Sequence, residues 1–343
     1  MQSEQSFLNR SSIEQFLAAL IDIPSITGNE AAVTDFLAEQ LSSCGMTVRK
    51  LPVSENRHNL LAFFSENPSI LLSTHCDTVP PFIPARIENG TVHGRGACDA
   101  KGMIAVMTFA LLNLPEALQK HAGLLIVVGE ETDSIGAKTA ARGNIQPDFI
   151  INGEPTGNMP VRAQKGTFIF RLSANGKAAH SGYPHLGESA VARLLEQLDI
   201  LRNLDWGTHP DLGESSFNIG TINGGSAPNI IPDNASAECC VRLVQDHHQA
   251  KRLLSAHLLP GIEIEIISDS DPLHLHVPDG MDSMVVPFGS DAAYLSQLAP
   301  VLMIGPGDIQ KAHTADESIQ IDELKEAVGI YQQLIMTLLD HKS

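Results

Sequence analysis

The chain has 343 residues, 43% of them hydrophobic, and a formal net charge of −18. Its length exceeds the usual single domain, so two domains are expected, and the apolar fraction is ample for a sizeable core. The acidic balance argues against nucleic acid and anionic membrane surfaces as partners and fits an enzyme of small molecules, or one whose carboxylates collect metal cations.

Met1 to Ser12 is polar and has no apolar h-region, and no apolar run approaches the roughly 18 residues needed to span a bilayer. The five cysteines are odd in number, with no CxxC pair among them. These features read as a soluble, cytoplasmic chain with free thiols and no membrane partner.

In chain order, Ser12 caps an amphipathic helix to Leu20, and a second helix runs from about Asn29 to Ser43. Met46 to Val53 and Asn59 to Phe64 read as strands, an order that predicts a mixed rather than purely parallel sheet. Ile70-Leu71-Leu72-Ser73 is a buried strand that delivers His75-Cys76-Asp77 at its end. Alternation puts His75 and Asp77 on one side, so the carboxylate can orient a metal-bound imidazole. Val92-His93-Gly94-Arg95-Gly96-Ala97-Cys98-Asp99 is a glycine loop that presents Asp99 ahead of an apolar helix, about Gly102 to Leu114. Standing alone, Asp99 would read equally as the cap of that helix.

Leu124-Leu125-Ile126-Val127-Val128 reads as a strand buried on both faces, ending in Gly129-Glu130-Glu131-Thr132. Open α/β sheets bind ligands beyond the carboxyl ends of their strands. Two adjacent glutamates there repel unless something positive lies between them, and a metal ion is the simplest candidate. On two residues alone a solvated acidic turn is the commoner reading. A helix around Gly136 to Arg142 leads to a third strand, Phe149-Ile150-Ile151-Asn152, which ends in Gly153-Glu154-Pro155-Thr156. His75, Asp99, Glu130, Glu131 and Glu154 therefore arrive from three strand ends and one glycine loop, which makes separate bland readings a poor bet.

From about Gly166 to Ile267 the order is strand, helix, strand, strand, helix, strand, the ferredoxin-like βαββαβ arrangement. Its polar loops include Ala179-His180-Ser181-Gly182 and Asn223-Gly224-Gly225-Ser226-Ala227-Pro228-Asn229. Val301-Leu302-Met303-Ile304-Gly305-Pro306-Gly307 returns to the earlier style, followed by Ala312-His313-Thr314-Ala315-Asp316-Glu317 and a last helix from about Asp322 to Asp340. The expected division is a catalytic domain in two parts, 1–165 and 271–343, interrupted by an inserted domain over 166–270. Two histidines and three carboxylates suffice for a paired zinc site with a bridging carboxylate, leaving a fourth carboxylate as general base. Hydrolysis of an amide fits this set.

The segments Thr74-His75-Cys76-Asp77-Thr78, Gly94-Arg95-Gly96-Ala97-Cys98-Asp99-Ala100-Lys101-Gly102, Gly129-Glu130-Glu131-Thr132, Gly153-Glu154-Pro155-Thr156 and Ala312-His313 occur in an order that resembles the co-catalytic zinc amidohydrolases and peptidases. That family includes acetylornithine deacetylase and succinyl-diaminopimelate desuccinylase. Gly153-Glu154-Pro155-Thr156 with Pro160-Val161-Arg162-Ala163-Gln164-Lys165-Gly166 brings the resemblance closest to the former. Ala100 departs from the methionine common after the bridging aspartate, and the segment near Pro287-Phe288-Gly289-Ser290-Asp291 matches neither deacylase clearly.

The resemblance implies a zinc-peptidase-like α/β catalytic domain with a mixed central sheet and a ferredoxin-like lid and dimerisation domain. It implies two zinc ions, with cobalt as a substitute: His75 and Glu154 on one, Glu131 and His313 on the other, Asp99 bridging. Asp77 would orient His75, and Glu130 would be the base. His180 would stabilise the oxyanion from the partner subunit of a homodimer, while Asn229 and Arg242 would fix the substrate. The implied reaction is hydrolysis of an N-acyl amino acid, first of all N-acetyl-L-ornithine in arginine synthesis. Desuccinylation of succinyl-diaminopimelate, deacetylation of acetyl-citrulline or acetyl-lysine, and dipeptide cleavage share the chemistry. A metal-free amino-acid-binding protein is the alternative of a different class.

Overall fold

The computed structural model describes residues 7–340; the first half of the polar Met1–Ser12 start lies outside them. In chain order the elements are α1 (Ile13–Ile21), α2 (Ala31–Ser43), β1 (Thr47–Ser54), β2 (Arg57–Phe63), β3 (Ile70–His75), β4 (Arg86–Glu88), β5 (Thr91–His93), α3 (Lys101–Leu112), α4 (Glu116–Gln119), β6 (Ala122–Val127), α5 (Ile135–Ala141), β7 (Phe149–Asn152) and β8 (Val161–Gln164). They continue with β9 (Gly166–Asn175), β10 (Ala179–His180), α6 (Ala190–Arg202), β11 (Thr208–His209), β12 (Gly213–Glu214), β13 (Ser216–Gly224), β14 (Ile230–Ile231), β15 (Asn234–Leu243), α7 (His247–Ala256) and β16 (Ile262–Ser270). The last are β17 (Leu273–His274), β18 (Met284–Val286), α8 (Ala292–Leu295), β19 (Val301–Met303), β20 (Ser318–Gln320) and α9 (Ile321–Asp340).

The chain divides into two compact units. One comprises Met1–Arg162, Leu275–Met284 and Ser290–Ser343, the other Ala163–His274 and Val285–Gly289.

The first unit is built on a mixed sheet in which β1, β2, β6, β3, β7 and β19 lie side by side. β1–β2 and β2–β6 are antiparallel, whereas β3 runs parallel to both β6 and β7, and β19 runs parallel to β7. Every residue of β3 and β6 is buried, as befits parallel strands covered on both faces. α3 lies against β3 and β6 and is flanked by α1 and α9. Its buried residues include Met103, Ile104, Val106 and Met107, which explains its nearly all-apolar sequence. The register sets His75 opposite Val127 and Ser73 opposite Asn152, so β3, β6 and β7 end at nearly the same level. A small sheet of β20, β5 and β4 stands apart from this layer. It was not expected from the sequence, because its strands are three residues long and all of β4 is exposed, leaving no alternation to read.

In the second unit β13, β15, β9 and β16 form an antiparallel sheet in that order. With α6 after β9 and α7 after β15, this is the ferredoxin-like βαββαβ topology. Alternate residues of β9 and β15 are buried. Phe168, Phe170, Leu172, Ala237, Cys239 and Val241 join Leu194, Leu198 and Leu254 of the two helices in one core.

No described helix is long and apolar enough to cross a membrane. All five cysteines are free thiols.

α9 is tied into the first unit by a polar contact in its core. The buried Tyr331 hydroxyl donates to the Ile304 carbonyl at 2.5 Å, just past the end of β19. Tyr331→Phe should therefore lower unfolding stability by about 1–3 kcal/mol, the usual cost of stranding a buried acceptor. Denaturant titration would show it, and a loss under about 0.5 kcal/mol would mean that the Ile304 carbonyl has found another donor.

Candidate metal centre

His75 closes β3 and is 1% exposed. Its Nε2 lies 3.1 Å from Asp99 Oδ1 and 4.0 Å from Glu130 Oε2. The other oxygen of Asp99, Oδ2, lies 3.3 Å from His313 Nε2, which in turn is 3.0 Å from Glu131 Oε2. Ligand-capable atoms of His75, Asp99 and Glu154 gather within 4.8 Å of one another, and so do those of Asp99, Glu131 and His313. Asp99 belongs to both groups; Glu130 belongs to neither. Asp99 does not cap α3, whose N-cap is Ala100 without a side-chain bond.

The structure shows what Asp77 does in detail. His75 Nδ1 is nearest the Asp77 backbone carbonyl, at 3.0 Å, with the carboxylate at 3.5 Å. The carboxylate itself accepts from the backbone N–H groups of Gly129 and Glu130 at Oδ1 (2.9 and 3.1 Å) and of Glu131 at Oδ2 (3.2 Å). Thr27 Oγ1 donates to Oδ2 at 2.8 Å. Asp77 therefore fixes the turn that carries Glu130 and Glu131 as well as the imidazole beside it. Gly129 makes this turn possible, since its φ of +79° is a conformation that L side chains rarely adopt.

A second buried carboxylate, Glu317, escaped the sequence reading. It gathers the N–H groups of Gly96, Cys98 and Asp99 and pairs with Arg95. The only trace of it in the sequence is an acidic pair four residues past His313.

The remaining expected site residues lie in the second unit. His180 is exposed on β10, opposite Ile230 of β14, and the Ser181 N–H donates to the Asn229 carbonyl at 3.0 Å. His180 and Asn229 are thus neighbours. Arg242 is half-buried near the far end of β15, opposite Thr167, and donates to Thr167 Oγ1 at 3.0 Å. It lies eight residue steps along the strand from Asn234, about 26 Å at roughly 3.3 Å per step. The structure brings together the first two and not the third.

The model of peptidase family M20/M25/M40 matches residues 71–337. A peptidase M20 domain-containing protein of Schizosaccharomyces pombe is 40% identical over 331 residues, covering 93% of this chain and 82% of its own. The chain belongs to the M20 family. A probable carboxypeptidase of Aspergillus flavus is 35% identical over 386 residues, covering 97% of this chain and 91% of its own. Among solved structures, an M20 family metallo-carboxypeptidase of Sulfolobus solfataricus matches the fold with a TM-score of 0.78 at 18% identity, over 95% of this chain and 98% of that one. The M20 chain is accordingly a metallo-hydrolase of amide bonds.

The electrostatics of the cluster fit bound cations. Burial pushes the carboxyl pKa values of Glu130, Glu131 and Glu154 upward, and repulsion from neighbouring carboxylates adds to it. Burial likewise raises Asp291 to about 7. Burial alone would depress His75, but its bonds to Asp77 and Asp99 outweigh that and hold it well above the ordinary imidazole value. The bonds of His313 to Asp99 and Glu131 raise it to about 10. A crowd of buried carboxyls thus faces only two imidazoles, and both imidazoles hold on to their protons. Divalent cations would supply the missing positive charge, and imidazole nitrogen with carboxylate oxygen is a donor set that zinc accepts.

The sign of the pH dependence follows. His313 titrates at about 10 in the folded chain against an ordinary 6.5, so its contribution to stability is full below pH 6.5 and is lost as the pH rises toward 10. His75 acts in the same direction. The raised glutamates do too, above their ordinary 4.5. The melting temperature of metal-free protein should fall between pH 6.5 and about 9, and saturating zinc should flatten that slope because the cation displaces the ligands' protons into solvent. A metal-free melting temperature that rises across this window would contradict the protonated cluster.

Proposed function

We propose that this chain is a two-metal hydrolase that cleaves the amide bond of an N-acyl amino acid, with N-acetyl-L-ornithine as the first substrate. The observation that carries the reading is the shared Asp99: its two oxygens face two different imidazoles, at 3.1 and 3.3 Å, with Glu130 beside them and outside both ligand groups. His75 and Glu154 would hold one zinc and Glu131 and His313 the other, with Asp99 between them. Bound there, such ions lower the pKa of a water and polarise a carbonyl.

Glu130 is then free for proton transfer. Its carboxylate takes a proton from the attacking water as the water oxygen bonds to the acyl carbon. It delivers that proton to the amine nitrogen as the carbon–nitrogen bond breaks. A carboxyl whose pKa burial has raised suits both halves of that task.

His180 is suited to donate a hydrogen bond to the oxyanion. The Gly182 N–H donates to its Nδ1 at 3.0 Å, so the neutral imidazole carries its proton on Nε2. Arg242 would bind the α-carboxylate bidentately. With Arg242 roughly 26 Å along the strand from the end nearest Asn229, one copy cannot apply both Arg242 and His180 to one small substrate. A site that uses both draws them from two copies, which supports a homodimer. β13 is the edge strand that would meet the partner. Ser216–Gly224 holds no charged residue and exposes Ile222 by 52%, whereas the opposite edge, β16, carries Glu263, Glu265 and Asp269. Charge on one edge and none on the other is how a sheet leaves a single edge open to pairing.

A second reading is favoured by the names of the relatives, several of them probable carboxypeptidases at 34–36% identity. A peptide's C-terminal residue is itself an N-acyl amino acid, so the same machinery serves both. The test compares kcat/KM on N-acetyl-L-ornithine, N-succinyl-L,L-diaminopimelate, acetyl-citrulline and a dipeptide. Preference for acetyl-ornithine supports the deacylase, and preference for the dipeptide supports the peptidase. Glu130→Gln should keep both zincs and lower kcat by at least about 100-fold on whichever substrate is best. Loss of zinc from that variant would make Glu130 a ligand and overturn its role.

Ile222→Glu should give a monomer in light scattering, with zinc content unchanged and kcat reduced as far as in His180→Ala. A fully active monomer would remove the partner from the reaction.

A further inference from the structure

We infer that Glu317 is a positioning residue that sets the affinity of the Asp99–Glu131–His313 group for its cation. The inference rests on the two-metal reading and goes beyond it, since Glu317 is no ligand and joins neither candidate group.

Glu317 is 1% exposed and Arg95 2%. Glu317 Oε1 accepts from the N–H groups of Gly96 (2.9 Å), Cys98 (3.2 Å) and Asp99 (3.1 Å), while Oε2 accepts from Arg95 Nη1 at 2.5 Å. Arg95 Nη1 also donates to the Thr314 carbonyl at 3.1 Å, and the Gly94 N–H donates to the Glu317 carbonyl at 3.1 Å. Two loops are therefore knotted together from both sides. One presents Asp99 and the other presents His313.

These two ligands belong to the same group, and neither sits on a strand of the central sheet. The other group differs. It shares Asp99, but its other two ligands are held by paired strands: His75 closes β3, and Glu154 follows β7 by two residues. His313 depends most on the brace, since its side chain is 51% exposed and its backbone is in the left-handed region at φ 65°. The carboxylate matters as a charge. Three N–H donors and a guanidinium converge on it, and hydrogen bonds to an ionised acceptor are the strong ones. Glutamine could keep the oxygen that meets the three amides but would set its NH₂ against Arg95, donor facing donor.

The test is stepwise cobalt titration of the metal-free protein, followed by its visible absorption and by calorimetry. His313→Ala identifies which of the two equivalents belongs to the His313 group. Glu317→Ala should weaken that equivalent by roughly 10- to 100-fold, the range for residues that hold metal ligands, and change the other several-fold less. Glu317→Gln should fall between Glu317→Ala and wild type. Where Glu317→Ala does not fold, the glutamine variant carries the comparison. Leu338→Ala, a core deletion in α9, should lower the melting temperature and leave both affinities unchanged.

Equal weakening of both equivalents, or none, with wild type still binding two, would overturn the role of Glu317 alone. Wild type that binds fewer than two would overturn the two-metal reading and this inference with it.

Discussion

The constraint on which the first unit depends is the burial of like charge. Asp77, Asp99 and Glu154 are at most 6% exposed, and Glu130 and Glu131 lie beside them. A carboxylate in such surroundings either finds hydrogen-bond donors, takes up a proton or meets a cation. Each solution is present. Burial would raise Asp77, but His75 first, and then the Thr27 hydroxyl and the Glu131 amide, hold it below the ordinary carboxyl range. The three glutamates are pushed the other way. Asp99, which faces both imidazoles, falls well below its ordinary value although burial opposes it. The cluster is therefore not a uniform acidic patch. Its members differ in what they lack, and bound cations would offset the negative charge that two imidazoles leave unbalanced.

Two carboxylates that take no place in either ligand group organise those that do. Asp77 gathers the turn after β6, and Glu317 gathers the loop before α3. In both cases an anion gathers several backbone N–H groups of one short segment, Gly129 to Glu131 in the first and Gly96, Cys98 and Asp99 in the second, an arrangement that needs tight local turns. Gly129, at φ +79°, supplies one of these turns and Gly96, at φ +90°, the other. A Cβ on Gly96 would also press on Lys101 and Thr78 at 3.0 Å. The glycines beside the acidic residues thus serve the backbone donors rather than the ligands themselves.

Much of this was legible in the sequence because the sheet advertises itself. Continuous apolar runs such as Leu124–Val128 have no explanation except burial on both faces, and the polar residues that end them stand out. His75, Glu130, Glu131 and Glu154 were found that way. Short range was also enough for the ferredoxin-like unit, whose strands alternate cleanly. What could not be read was anything set by distant partners. Glu317 sits in a polar run, Thr314 to Ser318, that looks like a solvated turn; it is buried because amides more than 200 positions earlier converge on it. The carboxylate of Asp77 was expected to serve the imidazole two residues away, yet its closest donors come from Thr27 and from the turn after β6. Asn229 and Arg242 carry the expectation of one substrate-fixing pair, and only the register of β15 with β9 places Arg242 at the other end of the strand.

That separation bears on how the two units divide the work. The first unit holds both ligand groups that share Asp99 and, on the proposed mechanism, the proton carrier Glu130. On the proposed mechanism the second unit would contribute groups that recognise charge: His180, a hydrogen-bond donor on an exposed short strand, and Arg242, a guanidinium at the far end of a sheet. Amide hydrolysis makes these demands separable. The attacking water and its proton need a rigid, buried cluster, whereas the oxyanion and the carboxylate exist only when substrate is present. Donors that meet them from an exposed element can be reshaped for a different acyl group or side chain while the cluster stays as it is. Relatives that share the family would then differ in substrate through their second units, and the metal cluster would carry no record of which amide is cut.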